Sequence, residues 1–335
     1  MSRPAIRRAS LIALLAASFL VGADLVTGQQ PPVVEVTGGR IRGTRVQAEG
    51  TTIAIFRGVG FAAPPVGALR WRPPQPVAPW KDVREATRFA PACPQVPGIS
   101  YGQTFDNPSE DCLYLNVWTP TLDRSAKRPV MVWIHGGGNV IGGADSPIYD
   151  GSHFAAAGVV LVTIQYRLGV LGYLAHPALT AEAHSLDGRS ASGNYGLLDQ
   201  LAALDWVKKN IDRFGGDRDR VAVFGESAGA ADITHLMASP LARGLFHRAI
   251  AESGYFGENV PRLADSTGSL PSAHETGLAI ASRLGVKSEG AAALSSLRAL
   301  PLERLLSVPA TIGNLVLSSR NEAFRFGPIV DGSVL

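Results

Sequence analysis

The spacing of apolar positions along this chain changes several times, and the changes mark out alternating strands and helices. Near the start, Val33–Val36 and residues 40–46 flank Gly38-Gly39, the pattern of a hairpin, and residues 52–56 add a short strand. Residues 62–79 are rich in proline and aromatic residues, which predicts an extended surface segment. Residues 130–134 form a short apolar run that stops abruptly at His135-Gly136-Gly137-Gly138, and residues 159–166 form a second run of buried character. Leu197, Leu198, Leu201, Leu204, Val207 and Ile211 share one face at helical spacing, and Gly215-Gly216 ends that helix. Residues 220–224 read as a third strand, with a helix following from about Ala228, and residues 248–251 as a fourth. Strands separated by helices of this length predict an α/β fold, with a mostly parallel central sheet and helices on both faces.

The chain has 335 residues, enough for one large α/β domain or two small ones. Hydrophobic residues make up 46% and charged residues 18%, the balance of a folded body rather than a disordered one. The first segment stands apart. Arg3, Arg7 and Arg8 precede an apolar stretch from Leu11 to about Val26, which reads as a secretory signal peptide. Val26 and Gly28 are small enough for cleavage before Gln29, and Val21 with Ala23 offers an earlier site. Gly22 and Asp24 interrupt the run, which is short for a membrane span, and no cysteine lies near the cleavage site to carry a lipid. The Arg7-Arg8 pair hints at twin-arginine export. The expectation is a leader over 1–28, a folded domain over 29–335, no stable membrane anchor, and a secreted or periplasmic product.

Without the leader the net charge falls from +3 to +1, so the basic balance belongs largely to targeting. No Lys/Arg stripe supports nucleic-acid binding, and nothing calls for a metal or cofactor. Cys93 and Cys112 are the two cysteines, 19 positions apart. In an exported protein they read as one disulfide closing a loop, with two buried free thiols as the alternative.

The chemistry centres on Gly225-Glu226-Ser227-Ala228-Gly229, a G-x-S-x-G pattern. Gly98-Ile99-Ser100-Tyr101-Gly102 fits the same pattern, so the pattern alone decides nothing. A serine nucleophile of this kind needs a strand before it and a helix after it. Ser227 has both; Ser100 lies between prolines inside the cysteine loop and is a decoy. A serine hydroxyl also needs a base and donors for the oxyanion that develops. The amide of Ala228 at a helix start, with those of Gly137 and Gly138 after a buried strand, can supply the donors.

With these motifs in place, the chain resembles the type-B carboxylesterases, the α/β-hydrolase family that includes cholinesterases and their bacterial relatives. The matching stretches are residues 56–62 (FRGVGFA), 109–116 (SEDCLYLN), the triple-glycine loop, 166–169 (YRLG), 193–200 (GNYGLLDQ), 214–217 (FGGD) and the elbow, in family order. The resemblance implies an α/β-hydrolase fold and hydrolysis of a small carboxylic ester through a Ser227 acyl-enzyme. It implies a Cys93–Cys112 disulfide and two structural ion pairs, Arg57 with Glu110 and Arg167 with Asp199. It places Glu226 beside the nucleophile as an electrostatic influence and matches Ser253 to a family serine near the triad, with a simple polar strand end as the alternative for Ser253. A catalytically inactive, esterase-like binding module is the alternative.

Family order is serine, then an acid, then histidine. Residues 326–332 (FGPIVDG) resemble the stretch that precedes the catalytic acid, so the acid, the histidine and the final sheet strands are expected beyond Leu335. Within the chain His274, preceded by Glu258 and Asp265, is the best formal substitute, but it begins an amphipathic stretch resembling the family's surface helices. The cysteine loop contains Tyr101 and Phe105 but no tryptophan, so the choline-binding contact of cholinesterases is not expected.

Overall fold

The computed structural model describes residues 30–95, 107–254, 260–312, 315–316 and 323–335. The expected leader and its cleavage site lie outside the described residues, as do Ser100, Tyr101, Phe105 and Glu258. β1 (Val33–Val36) and β2 (Gly39–Arg42) form the expected hairpin. Gly43, whose backbone packs against the Ile55 carbonyl, separates β2 from β3 (Thr44–Ala48), so the run expected over 40–46 serves two sheets. β3 pairs with the long β4 (Thr51–Gly60), and β5 (Arg84–Glu85) completes the small sheet with β1 and β2. β6 (Tyr114–Thr119), β7 (Arg128–Ile134), β8 (Val160–Ile164), β9 (Gly216–Glu226) and β10 (Arg248–Glu252) follow. With β3 and β4 they make a seven-stranded sheet of order β10-β9-β7-β8-β6-β4-β3. β8, β7, β9 and β10 are parallel, and β6, β4 and β3 extend the sheet antiparallel.

Alternation along the strands divides the core between the two faces. Val130, Val132 and Ile134 of β7 face one side, where they join Leu197, Leu201, Leu204 and Val207 of α4 (Tyr195–Asn210) and Ile233 and Leu236 of α5 (Ala228–Ala238). Met131 and Trp133 face the other side with Ala155 of α1 (Ser152–Ala156). A left-handed Gly215 ends the short 3-10 extension of α4, as the glycine pair predicts. A second apolar cluster forms around Trp71. It draws on α2 (Gly169–Tyr173), α3 (Pro177–Asp187), α6 (Ala273–Arg283), α7 (Gly290–Arg298) and α8 (Leu302–Leu306). It also holds Val140, Ile141 and Phe326, so it backs the loop after β7. Strands β11 (Ala310–Ile312), β12 (Leu315–Val316) and β13 (Phe324–Arg325) form a third small sheet. β10 is an edge strand, exposed along its length. Among the described residues no helix is long and apolar enough to cross a membrane.

Cys93 and Cys112 are joined as a disulfide, with both side chains fully buried. For a loop of this size the chain-entropy contribution is roughly 3 kcal/mol. One of the two expected ion pairs is present and the other is not. Arg167 holds Asp199 through Nε and Nη2, each at 2.7 Å, and through its amide at 3.0 Å. Arg57 does not reach Glu110; it lies over the Phe89 ring with its guanidinium 3.9 Å from Asp150. Glu110 is taken instead by Arg70, at 2.7 and 2.5 Å, and Arg70 also donates to the carbonyls of Arg298 and Leu300. The cause is a register shift in β4 between Phe56 and Val59, which turns Arg57 toward residues 87–89 and away from the loop that carries Glu110.

Arg167 and Asp199 are almost fully shielded, with side chains 3% and 0% exposed. Removing one partner strands the other charge in low dielectric. Arg167→Met is expected to lower unfolding free energy by roughly 3–5 kcal/mol in urea titration. Arg167→Met combined with Asp199→Leu should recover at least half of that loss.

Candidate active site

Ser227 occupies a one-residue turn between β9, which ends at Glu226, and α5, which begins at Ala228. Its backbone is at φ 53°, ψ −117°, a conformation costly for a residue with a Cβ. The Ser227 amide donates to the Glu252 carbonyl of β10 at 2.9 Å, and its carbonyl accepts the first α5 bond from Ala231. The glycines on either side permit the geometry. A Cβ on Gly225 would lie 2.6 Å from the Ile134 carbonyl oxygen, and one on Gly229 would overlap the same oxygen. The elbow therefore sits directly against the end of β7, one residue before His135.

The three glycines after His135 have three different tasks. Gly136 packs on the elbow: a Cβ there would lie 2.7 Å from the Glu226 carbonyl and 3.2 Å from Ser227 Cβ. Gly137, at φ 103°, turns the chain against the Ile141 backbone and accepts the amides of Val140 and Ile141 at 3.1 Å. Gly138, at φ 64°, borders the cavity together with Ser227 and Ala228. Among the described residues, none of the amides of Gly137, Gly138 and Ala228 donates to a protein acceptor. His135 is buried and stacked on Tyr166, whose hydroxyl donates to the His135 carbonyl at 2.8 Å. Burial pushes the imidazole pKa down to about 4, so His135 is neutral and braces the loop.

These elements open on a cavity of about 480 Å³. The end of α2 (Tyr173, with Leu174 and Ala175), α6 and residues 325–329 form its other walls. Ser253, also at positive φ (52°), lies on the rim beyond β10. α6 reaches the wall because Gly277 lets it touch the Ala175 carbonyl. Ile280 and Leu284 of this segment are buried, so the stretch expected as a surface helix is part of the pocket. Glu226 is in register with Glu252 across the β9–β10 pair. Partial burial, and then that neighbouring carboxylate, raise the Glu226 pKa.

The seven histidines are all engaged away from the Ser227 hydroxyl. His274 Nε2 pairs with Thr180 Oγ1 at 2.9 Å, outside the cavity, which removes the formal substitute base. His235 borders the cavity two turns along α5, but its Nδ1 donates to Ala231 O at 2.7 Å. His153 pairs with Glu49, His184 with Ser190, His247 with the Val221 amide, and His176 with the Ala178 amide. Asp331 is likewise committed. It accepts from Asn194 and from the amides of Ser333, Val334 and Leu335, while Asn194 also clamps Ile329.

Comparison with known proteins adds a decisive observation: the model of the Carboxylesterase family matches residues 30–335. The chain belongs to the carboxylesterase family. It is 40% identical over 329 residues to the fumonisin B1 esterase of Sphingopyxis macrogoltabida, covering 96% of this chain and 55% of that protein. It is 42% identical over 324 residues to carboxylesterase 1D of Rattus norvegicus, covering 91% and 54%. Among solved structures, the Geobacillus stearothermophilus carboxylesterase EST55 at pH 6.2 superposes with a TM-score of 0.72 at 40% identity. That match covers 90% of this chain and 56% of the other, and supports the α/β-hydrolase fold. The chain spans about half the length of the curated relatives it matches.

Two residues of this carboxylesterase-family site escape motif reading. Asn139, next after the three glycines, and Asp232, on α5, are buried and bonded to each other 93 positions apart in sequence. Burial raises the Asp232 pKa to about 7, against the opposing pull of donors from Gln200 and Asn139. The folded state therefore holds a proton that the unfolded chain releases near pH 4. The resulting contribution is present in full below about pH 4 and is lost as pH rises through about 7, on the order of 4 kcal/mol. Asp232→Asn should flatten that part of the stability profile, read from urea midpoints between pH 4.5 and 8.

Proposed function

We propose that this chain carries the nucleophile and oxyanion hole of an exported serine carboxylic-ester hydrolase. Three observations support this: Ser227 is strained at a strand-to-helix turn, Gly138 and Ala228 border the same cavity, and the amides of Gly137, Gly138 and Ala228 have no acceptor among the described residues. Ser227 Oγ attacks the ester carbonyl carbon while a general base takes its proton. The carbonyl oxygen becomes an oxyanion held by the three amides. Collapse breaks the bond to the leaving alkoxide, which departs protonated as the alcohol, and water then releases the acid from the acyl-enzyme. Glu226, its pKa raised by burial and by Glu252, biases the field at the nucleophile without being the triad acid. The substrate class is a small carboxylic ester that fits a cavity bounded by Tyr173, Leu174, Ile280 and Phe326. The buried disulfide accords with export by the 1–28 leader, with 29–335 as the folded domain.

A second reading, an esterase-like binding module, is favoured by one observation: none of the chain's seven histidines is bonded to Ser227. A fluorophosphonate probe separates the two. In the full-length protein it is expected to label Ser227, with labelling and p-nitrophenyl butyrate hydrolysis lost in Ser227→Ala and retained in Ser100→Ala. Residual turnover over water through the oxyanion hole can persist at roughly a thousandth of wild type or less. An unlabelled Ser227 in well-folded full-length protein would establish the binding-module reading instead.

A further inference from the structure

The loop that carries the oxyanion donors is unusual in its backbone. Gly137, Gly138 and Asn139 have φ of 103°, 64° and 60° in succession. Three consecutive residues outside the ordinary regions cannot join a strand or a helix, and two of them are glycines, free to take other conformations. Hydrogen bonds from Val140 and Ile141 to the Gly137 carbonyl close the turn locally, and the Gly169 amide, after β8, donates to the Asn139 carbonyl at 2.7 Å. What ties it to the nucleophile is a side-chain cluster beneath it.

Asn139 Nδ2 donates to Asp232 Oδ1 at 3.1 Å. Gln200 Nε2, from α4, donates to Asp232 Oδ2 at 2.5 Å, and the Tyr173 hydroxyl, from α2, donates to Asn139 Oδ1 at 3.2 Å. Asp232 is 0% exposed and Asn139 4%. Among the described residues no cation forms an ion pair with Asp232, so a carboxyl group is kept in the core by neutral donors alone. Burying such a group is costly, and an apolar residue would fill an ordinary helix-packing position at lower cost.

We propose that Asp232 is a positioning residue of the oxyanion hole. Through the Asn139 amide it fixes the loop bearing Gly137 and Gly138 relative to Ser227, which sits one residue before the helix that carries Asp232. This inference rests on the reading of those amides as the oxyanion hole. The need for such a strut follows from geometry. Donors must lie about 2.7–3.1 Å from the developing oxyanion, and a misplacement of about 1 Å can cost about a hundredfold in rate. Asp232 offers one oxygen to the loop and the other to Gln200, so a single side chain references the loop to both α5 and α4. The titratable groups around it are Tyr173 on α2 and Tyr166 after β8, two phenols that burial keeps neutral. The Arg167–Asp199 pair acts on Tyr173 from beyond.

The test uses Asn139→Gly, Asp232→Ala and Asp232→Asn in the full-length protein. Asn139→Gly keeps a residue suited to positive φ and removes the strut together with its bond from Tyr173. Asp232→Asn preserves it: one amide oxygen still accepts from Asn139, and its nitrogen can donate to Gln200 Oε1, which has no partner at present. Asn139→Gly and Asp232→Ala should lower kcat on a p-nitrophenyl ester by about 10- to 100-fold with little change in KM. Both should weaken a trifluoromethyl ketone, whose hemiketal oxyanion occupies the hole, by a similar factor. Asp232→Asn should stay within about threefold of wild type. Amide hydrogen exchange over residues 136–141 should accelerate in the first two variants and not in the third, with β7 unchanged. Exchange needs no turnover, so it tests the strut even if Ser227 proves inert. Unchanged exchange in Asn139→Gly would overturn the proposal, as would a kcat within threefold of wild type beside an active Ser227. If Asp232→Ala does not fold, Asn139→Gly decides alone.

Discussion

The site depends on one close backbone contact. The carbonyl of Ile134, the last residue of β7, leaves no room for a Cβ on either Gly225 or Gly229, the glycines two residues either side of Ser227. That approach brings the strand-to-helix turn at Ser227 against the loop that begins at His135, and Gly136 closes the same seam from the other side. Ser227 and the triple-glycine loop are thus referenced to adjacent parallel strands, β9 and β7, in one sheet. Sheet rigidity substitutes for the local regularity that neither turn possesses.

Polar groups buried around this seam do two kinds of work. The Arg167–Asp199 pair joins two opposite charges through three hydrogen bonds, with Arg167 Nη1 left unpartnered, and its effect is to fix the segment after β8 against α4. The Asp232 cluster has no countercharge and sits closer to the chemistry. Its raised pKa is a sign of stability given up locally, a pattern common where geometry matters more than packing.

Much of this was legible in the sequence. The runs at β7, β8 and β9 are short, apolar and bounded by glycine or charge, and the strand and helix expected on either side of Ser227 are present. The disulfide and the Arg167–Asp199 pair also followed, because the motifs containing them keep their family form. Three things did not follow. β4 continues past Phe56 through an irregularity that no period-2 pattern announces, and this redirects Arg57 to Asp150 and leaves Glu110 to Arg70. α6 has the alternation of a surface helix, yet a second helical cluster covers its apolar face and makes it a pocket wall. Asp232 reads locally as one polar residue in a small-residue helix. Only the tertiary contact with Asn139 reveals that it is buried.

The proposed function requires that Ser227 and the amides of Gly137, Gly138 and Ala228 converge on one point. The most direct measurement is a crystal structure of the full-length protein after reaction with a neutral phosphonate ester. Phosphorus is expected to be bonded to Ser227 Oγ, with its phosphoryl oxygen about 2.7–3.1 Å from at least two of the three amides. A phosphoryl oxygen turned to solvent, or phosphorus on a different serine, would contradict it.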